Sequence, residues 1–153
     1  TYGAPYVIYS KKIPKSLRSA CHKLNIPILL FEGGKSNHID RLVTNSGVNG
    51  AKRILENLGM LASKFKVSKP KKNIVFIEES KWIRAKSSGL FRPCIKLNSK
   101  VQKETILGYI TDAYGKFNQS VKADCDGYII NVNEDPIVYK GDALFRYSTK
   151  TSL

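Results

Sequence analysis

Apolar positions recur along this chain with two different periods, and the change falls near its middle. Up to about residue 62, short apolar runs alternate with helix-period stripes. Tyr6-Val7-Ile8-Tyr9 reads as a short strand. Pro14 to Asn25 predicts a helix, because Pro14 suits a first turn and Leu17, Ala20, Cys21 and Leu24 recur on one face. Ile26-Pro27-Ile28-Leu29-Leu30-Phe31 is continuously apolar, which predicts a strand buried on both faces of an α/β sheet. It stops abruptly at Glu32-Gly33-Gly34. A second helix is predicted over about Ile39 to Leu58, with Ile39, Leu42, Val43, Ala51, Ile54, Leu55 and Leu58 on one stripe. Gly47 and Gly50 are open to close packing; Ser36 or Asn37 is expected to cap its start and Gly59 its end.

From residue 73 onward the pattern is one of short alternating strands and frequent turn residues, with no helical stripe. An internal repeat is present. Ala85-Lys86-Ser87-Ser88-Gly89-Leu90 returns as Ala123-Asp124-Cys125-Asp126-Gly127-Tyr128, and Val101 to Leu107 returns as Val138 to Leu144. Two copies of a β unit that cannot bury a face alone predict a small barrel or sandwich. Gly89 and Gly127 mark tight bends. The expected organisation is therefore an α/β part over 1–63, a linker over 64–72 and a small β domain over 73–153. Two strands and two helices are too few layers to cover a strand buried on both faces. Residues 1–63 are accordingly expected to be the end of a larger α/β domain whose beginning lies outside the chain.

Charge changes this picture less than its size suggests. The 153 residues carry 26 Lys+Arg against 12 Asp+Glu, a net charge of +14. The stretch KFKVSKPKK (64–72) holds five of the basic side chains and no acidic one, with Pro70 inside it, as a solvated linker would. Phe65 is its only aromatic, whereas single-strand binders interleave stacking platforms with charge. Nucleic acid is not the expected partner. No apolar run reaches the ~18 residues of a membrane span. The opening TYGAPYVIYS lacks a basic n-region followed by an apolar h-region, so neither membrane nor signal peptide is expected. Cys21, Cys94 and Cys125 are too few and scattered for a disulfide framework or zinc knuckle, and fit a reducing, cytoplasmic compartment.

Five motifs then point one way: IPILLFEGG (26–34), GAKRILENLGML (50–61), WIRAKSSGLFRPCIKLNSKV (82–101), LGYITDAYG (107–115) and DGYIINVNEDPIVYKGDALF (126–145). In these the chain resembles the C-terminal half of the succinylglutamate desuccinylase/aspartoacylase family, zinc hydrolases related to carboxypeptidases. The resemblance implies the end of a carboxypeptidase-like α/β catalytic domain followed by a small β domain of biotinyl/lipoyl type, in agreement with the repeat. It implies a zinc cofactor whose His, Glu and His ligands all precede Thr1, so that this chain holds no metal ligand and is inactive alone. It implies that Glu32 is the general base toward the attacking water and then the acid toward the leaving amine, with Gly33 and Gly34 letting the backbone approach the substrate. The substrate class is a small acylated amino acid or a related amide or ester. The implied partner is the N-terminal half of the catalytic domain.

Each candidate has a plainer reading. Without the family, Glu32 is a strand-end residue reaching solvent. Its place at the mouth of an apolar strand is what would desolvate it and move its pKa toward neutrality. His22 and His38 are the only histidines, and a packing or surface role is favoured for both; without HxxE or HExxH they do not make a zinc site. Asp40 reads as a first-turn residue favoured by the helix dipole. A lipoyl-type carrier lysine would sit near Thr111-Asp112-Ala113-Tyr114-Gly115, where Lys116 lacks the required flanks. Trp82, Phe91 and Phe145 read as core or interface residues. Cys125, between two aspartates, is a poor nucleophile. The alternative to the hydrolase is a non-enzymatic β-barrel interaction module whose basic surface binds an acidic partner or nucleic acid.

Overall fold

The computed structural model describes residues 1–35, 38–70 and 74–152. They divide into two compact units, Thr1–Val75 and Phe76–Leu153.

The first unit holds β1 (Tyr6–Ile8), α1 (Leu17–Lys23) and α2 (Arg41–Asn57). Helix α1 is shorter than its apolar stripe. Lys15 is left-handed (φ 62°), so the helix cannot begin before Ser16, whose side chain caps it by accepting from the Ser19 N–H. At the other end Asn25 is left-handed (φ 55°), and the Ile26 N–H returns to the Cys21 carbonyl at 2.8 Å, closing a Schellman turn. Helix α2 ends in the same way: Gly59 (φ 67°) provides the left-handed residue and the Met60 N–H reaches the Leu55 carbonyl at 2.8 Å. Its start is capped by Asp40, whose Oδ1 accepts from the N–H groups of Leu42 (2.9 Å) and Val43 (3.1 Å). Ser36 and Asn37, the expected caps, lie outside the described residues.

Two expectations for this unit need correction. Residues 26–31 form no strand, and Ile26, Leu29 and Leu30 are all exposed. Strand structure depends on partners for the backbone N–H and C=O groups. Among the described residues, no strand of this unit pairs with the run. The face of α2 that is buried is also not the apolar stripe. Ile39 and Leu42 are 87% and 82% exposed, whereas the buried residues of the helix are Gly50 and Arg53. Gly47 and Gly50 face the rings of Phe31 and Tyr2, which a Cβ at either position would meet. Tyr2 and Phe31 pack on each other with centroids 5.5 Å apart. Arg53 ties this layer together. Its Nε donates to the Tyr2 carbonyl (2.8 Å), and its second guanidinium nitrogen donates to the carbonyl (3.0 Å) and Oγ (3.2 Å) of Ser68. The described part of the lysine-rich stretch 64–72 thus runs within this unit.

The second unit is all β: β2 (Val75–Arg84), β3 (Gly89–Pro93), β4 (Lys100–Val101), β5 (Ile106–Thr111), β6 (Asn118–Lys122), β7 (Gly127–Val132), β8 (Ile137–Val138) and β9 (Ala143–Ser152). Within it one sheet runs β2-β9-β7-β4 and the other β6-β5-β3-β8. The repeat is visible in this order. Strands β2 to β5 and β6 to β9 are the same series, and each sheet takes two strands from either copy. Val101 pairs with Gly127, and its counterpart Val138 pairs with Gly89, so the copies are laced through each other by equivalent contacts. Repeat-related residues share burial: Ala85 with Ala123, Val101 with Val138, Leu107 with Leu144. Phe91 and Phe145 meet edge to face at 5.6 Å between the sheets, both buried as expected, whereas Trp82 is 41% exposed.

The expected barrel is not a closed one. Closure would require β2 to pair with β6 and β4 with β8, and among the described residues neither pairing is present. Side chains span the gap instead: Lys81 Nζ reaches Asp124 Oδ2 at 2.6 Å, and Ser87 Oγ reaches Gln119 Oε1 at 2.8 Å. Spacers of that length exceed a main-chain hydrogen bond, so the two sheets face each other without joining along this side.

Candidate functional site

Glu32, Gly33 and Gly34 form the turn between the apolar run and α2, and all three are exposed. The turn is anchored from the helix side. The Gly33 backbone lies on Val43, so that a Cβ there would sit 2.8 Å from its Cγ1; Gly34 is left-handed (φ 91°), a conformation that favours glycine. Together with the Asp40 cap, these contacts hold the segment leading from Glu32 against the first turn of α2. Glu32 itself is not at the mouth of a buried strand. The desolvation expected of it is not provided by this chain, because the run before it is unpaired and solvent-exposed.

His38 is exposed and His22 lies in α1, while Asp40 acts as the helix cap. Among the described residues no group of three or more His, Cys, Asp and Glu could hold a metal ion. The described side chains do not by themselves fit a zinc site. No described helix is long and apolar enough to cross a membrane.

A second polar constellation sits in the β unit and has no motif that would reveal it in the sequence. Asp124 accepts from Lys81 (2.6 Å) and from the hydroxyl of buried Tyr147 (2.9 Å), and Cys125 Sγ lies 3.7 Å from that hydroxyl. The hydrogen bond from Lys81 holds the Asp124 carboxyl below its ordinary value of 3.8, and the same bond raises Lys81. Burial pushes the Tyr147 phenol up to about 12. Asp124, Lys81 and Tyr147 are each held in one protonation state by their mutual bonds and burial, which marks a structural network. Its pH consequence follows. Because the folded Asp124 value is depressed, its stabilising contribution is complete above the ordinary carboxylate range and disappears as pH falls through the folded value. Asp124→Asn should flatten the acid limb of β-unit stability below about pH 4; an unchanged limb in urea titrations would count against this role.

Comparison with solved structures now bears on the fold. The product-bound ectoine utilization protein EutE (DoeB) from Ruegeria pomeroyi is similar over 97% of this chain and 47% of its own, with a TM-score of 0.80 at 16% identity. A succinylglutamate desuccinylase/aspartoacylase from Rhodobacter sphaeroides is similar over 96% of this chain and 46% of its own, with a TM-score of 0.78 at 17% identity. An aspartoacylase family protein from Mesorhizobium loti is similar over 96% and 50%, with a TM-score of 0.69 at 13% identity. The chain has the fold of the C-terminal half of these desuccinylase/aspartoacylase structures. It spans about half their length. No protein-family profile and no curated protein matches it in sequence.

Proposed function

We propose that this chain is the C-terminal portion of a zinc-dependent hydrolase that cleaves an amide or ester bond in a small acylated amino acid or related substrate. The observation that carries the reading is the desuccinylase-type fold over nearly the whole chain, with a carboxylate followed by Gly-Gly on the turn into its longest helix. Glu32 takes a proton from the attacking water and returns it to the leaving amine or alcohol. A carboxylate in that role needs hydrogen-bond reach to the water and surroundings that shield it from bulk solvent. Those surroundings come from the N-terminal half of the fold, which is the partner of this chain. The exposed apolar run 26–31 supports that assignment, since it has the sequence of a buried strand and, among the described residues, no strand pairs with it. The zinc is held by residues of that half, so the contribution of this chain is the proton carrier and the shape of the entrance.

The partition has a direct test. Isothermal calorimetry of the 153-residue chain with zinc should show no stoichiometric high-affinity site, and the chain alone should not hydrolyse N-acyl amino acids. Adding the N-terminal half should produce both. A tight, one-to-one zinc site in the chain by itself would overturn the reading.

A further inference from the structure

We propose that the cleft between β2 and β6 is a docking site for an extended acidic peptide segment of a partner protein. The site is separate from the Glu32 turn and does not depend on the hydrolase reading.

The cleft has a volume of about 560 Å3, within the ~300–1,000 Å3 of ligand-binding clefts. It lies on the relation between the two repeats: its lips, Trp82 to Arg84 and Ser120 to Lys122, are equivalent segments of the two copies. β6 ends its sheet, and β2 is flanked by β9 and by the three-residue β1, which meets it where the Val75 N–H bonds the Pro5 carbonyl; β6 and the far, Trp82 to Arg84 end of β2 therefore offer main-chain N–H and C=O groups toward the cleft. A row of alternating donors and acceptors is matched best by another polypeptide in extended form. The bridges Lys81–Asp124 and Ser87–Gln119 show that the lips run in opposite directions and stand a side chain apart. An inserted strand would run antiparallel to one lip and parallel to the other.

Charge selects which polypeptide. Arg84, Lys86 and Lys122 line the cleft, against Glu104 and Asp124, and Lys81 reaches Asp124 from outside the lining. Both carboxylates are already matched, Glu104 by Lys122 at 3.1 Å and Asp124 by Lys81 at 2.6 Å. Among the described residues Arg84 bonds a neutral acceptor, the Gly141 carbonyl at 2.8 Å, and Lys86 is exposed, so positive charge is in excess. Lysines on sheet edges repel a second copy of a chain that carries +14, and the same lysines attract an acidic strand. Trp82, stacked on by Arg146 at 5.9 Å, gives the alternate apolar side chains of that strand a flat wall.

Trp82 is the only tryptophan of the chain and reports directly on the cleft. The probe is a blocked hexapeptide of alternating Glu and Val, titrated at low salt while tryptophan emission is recorded. Saturable binding is expected, weakened about tenfold by Lys86→Glu and by Arg84→Glu, and abolished when the peptide backbone is N-methylated. An alternating Lys and Val peptide should not bind. The proposal is overturned if emission stays unchanged into the millimolar range. It is equally overturned if both charge reversals, folded by circular dichroism, leave affinity intact. Equal binding of the N-methylated peptide, or of oligothymidylate, would show attraction to charge alone and would also overturn it.

Discussion

When this chain is joined to the N-terminal half of the fold and loaded with zinc, Glu32→Gln should lower turnover of an N-acyl amino acid by about 10²–10⁴-fold, the usual worth of a positioned general base. The change keeps the size and hydrogen-bonding shape of the side chain and removes only its capacity to carry a proton. Substrate binding should therefore hold while kcat falls. In the 153-residue chain by itself Glu32 is exposed, so there the substitution should leave thermal stability unchanged. Hydrolysis that survives Glu32→Gln would remove Glu32 from the mechanism. A loss in both kcat and KM accompanied by unfolding would assign it a structural part instead.

Gly127→Ala should be the most damaging single-methyl change in the β unit. A Cβ at 127 would collide with the main-chain oxygen of Ser148, in a strand that cannot retreat because Tyr147 and Ser148 on it are fully buried. The Tyr128 N–H also depends on Ser148 Oγ at 2.8 Å. Overpacking against backbone of this kind should cost about 3 kcal/mol or more, a large share of the ~5–15 kcal/mol that holds a domain. Gly115→Ala is the control: its left-handed backbone (φ 72°) is strained by a side chain, but nothing lies within 4 Å, so about 1 kcal/mol is expected. Urea unfolding followed by Trp82 emission reads the β unit selectively. A Gly127→Ala midpoint within the range of Gly115→Ala would contradict the close approach.

The β unit was legible because its signals are local and duplicated. Gly89 and Gly127, Val101 and Val138, Leu107 and Leu144 stand at matching places in both copies and play matching parts in the fold. What the repeat could not show is that β2 and β6 stay apart, since that depends on Lys81 meeting Asp124 across the chain. In the first unit the C-terminal end of α2 was readable from Gly59, whereas its Asp40 cap and its buried face were not. Small residues and one arginine form it, and periodicity in apolar residues points to the opposite side. The run 26–31 has the composition of a central strand, but pairing requires neighbours that no pattern within these residues supplies. Glu32 stood out through the resemblance alone; an exposed carboxylate before two glycines carries no chemical signal of its own.

The lacing of the two repeats bears on how the β unit comes into being. Val101 must find Gly127 and Val138 must find Gly89, so neither copy completes a sheet from its own strands. Closing such long loops is an entropic cost met before any of the shared core forms. A ribosome that has released only the first copy has released half of each sheet, and the remaining strands must arrive before either half can be held.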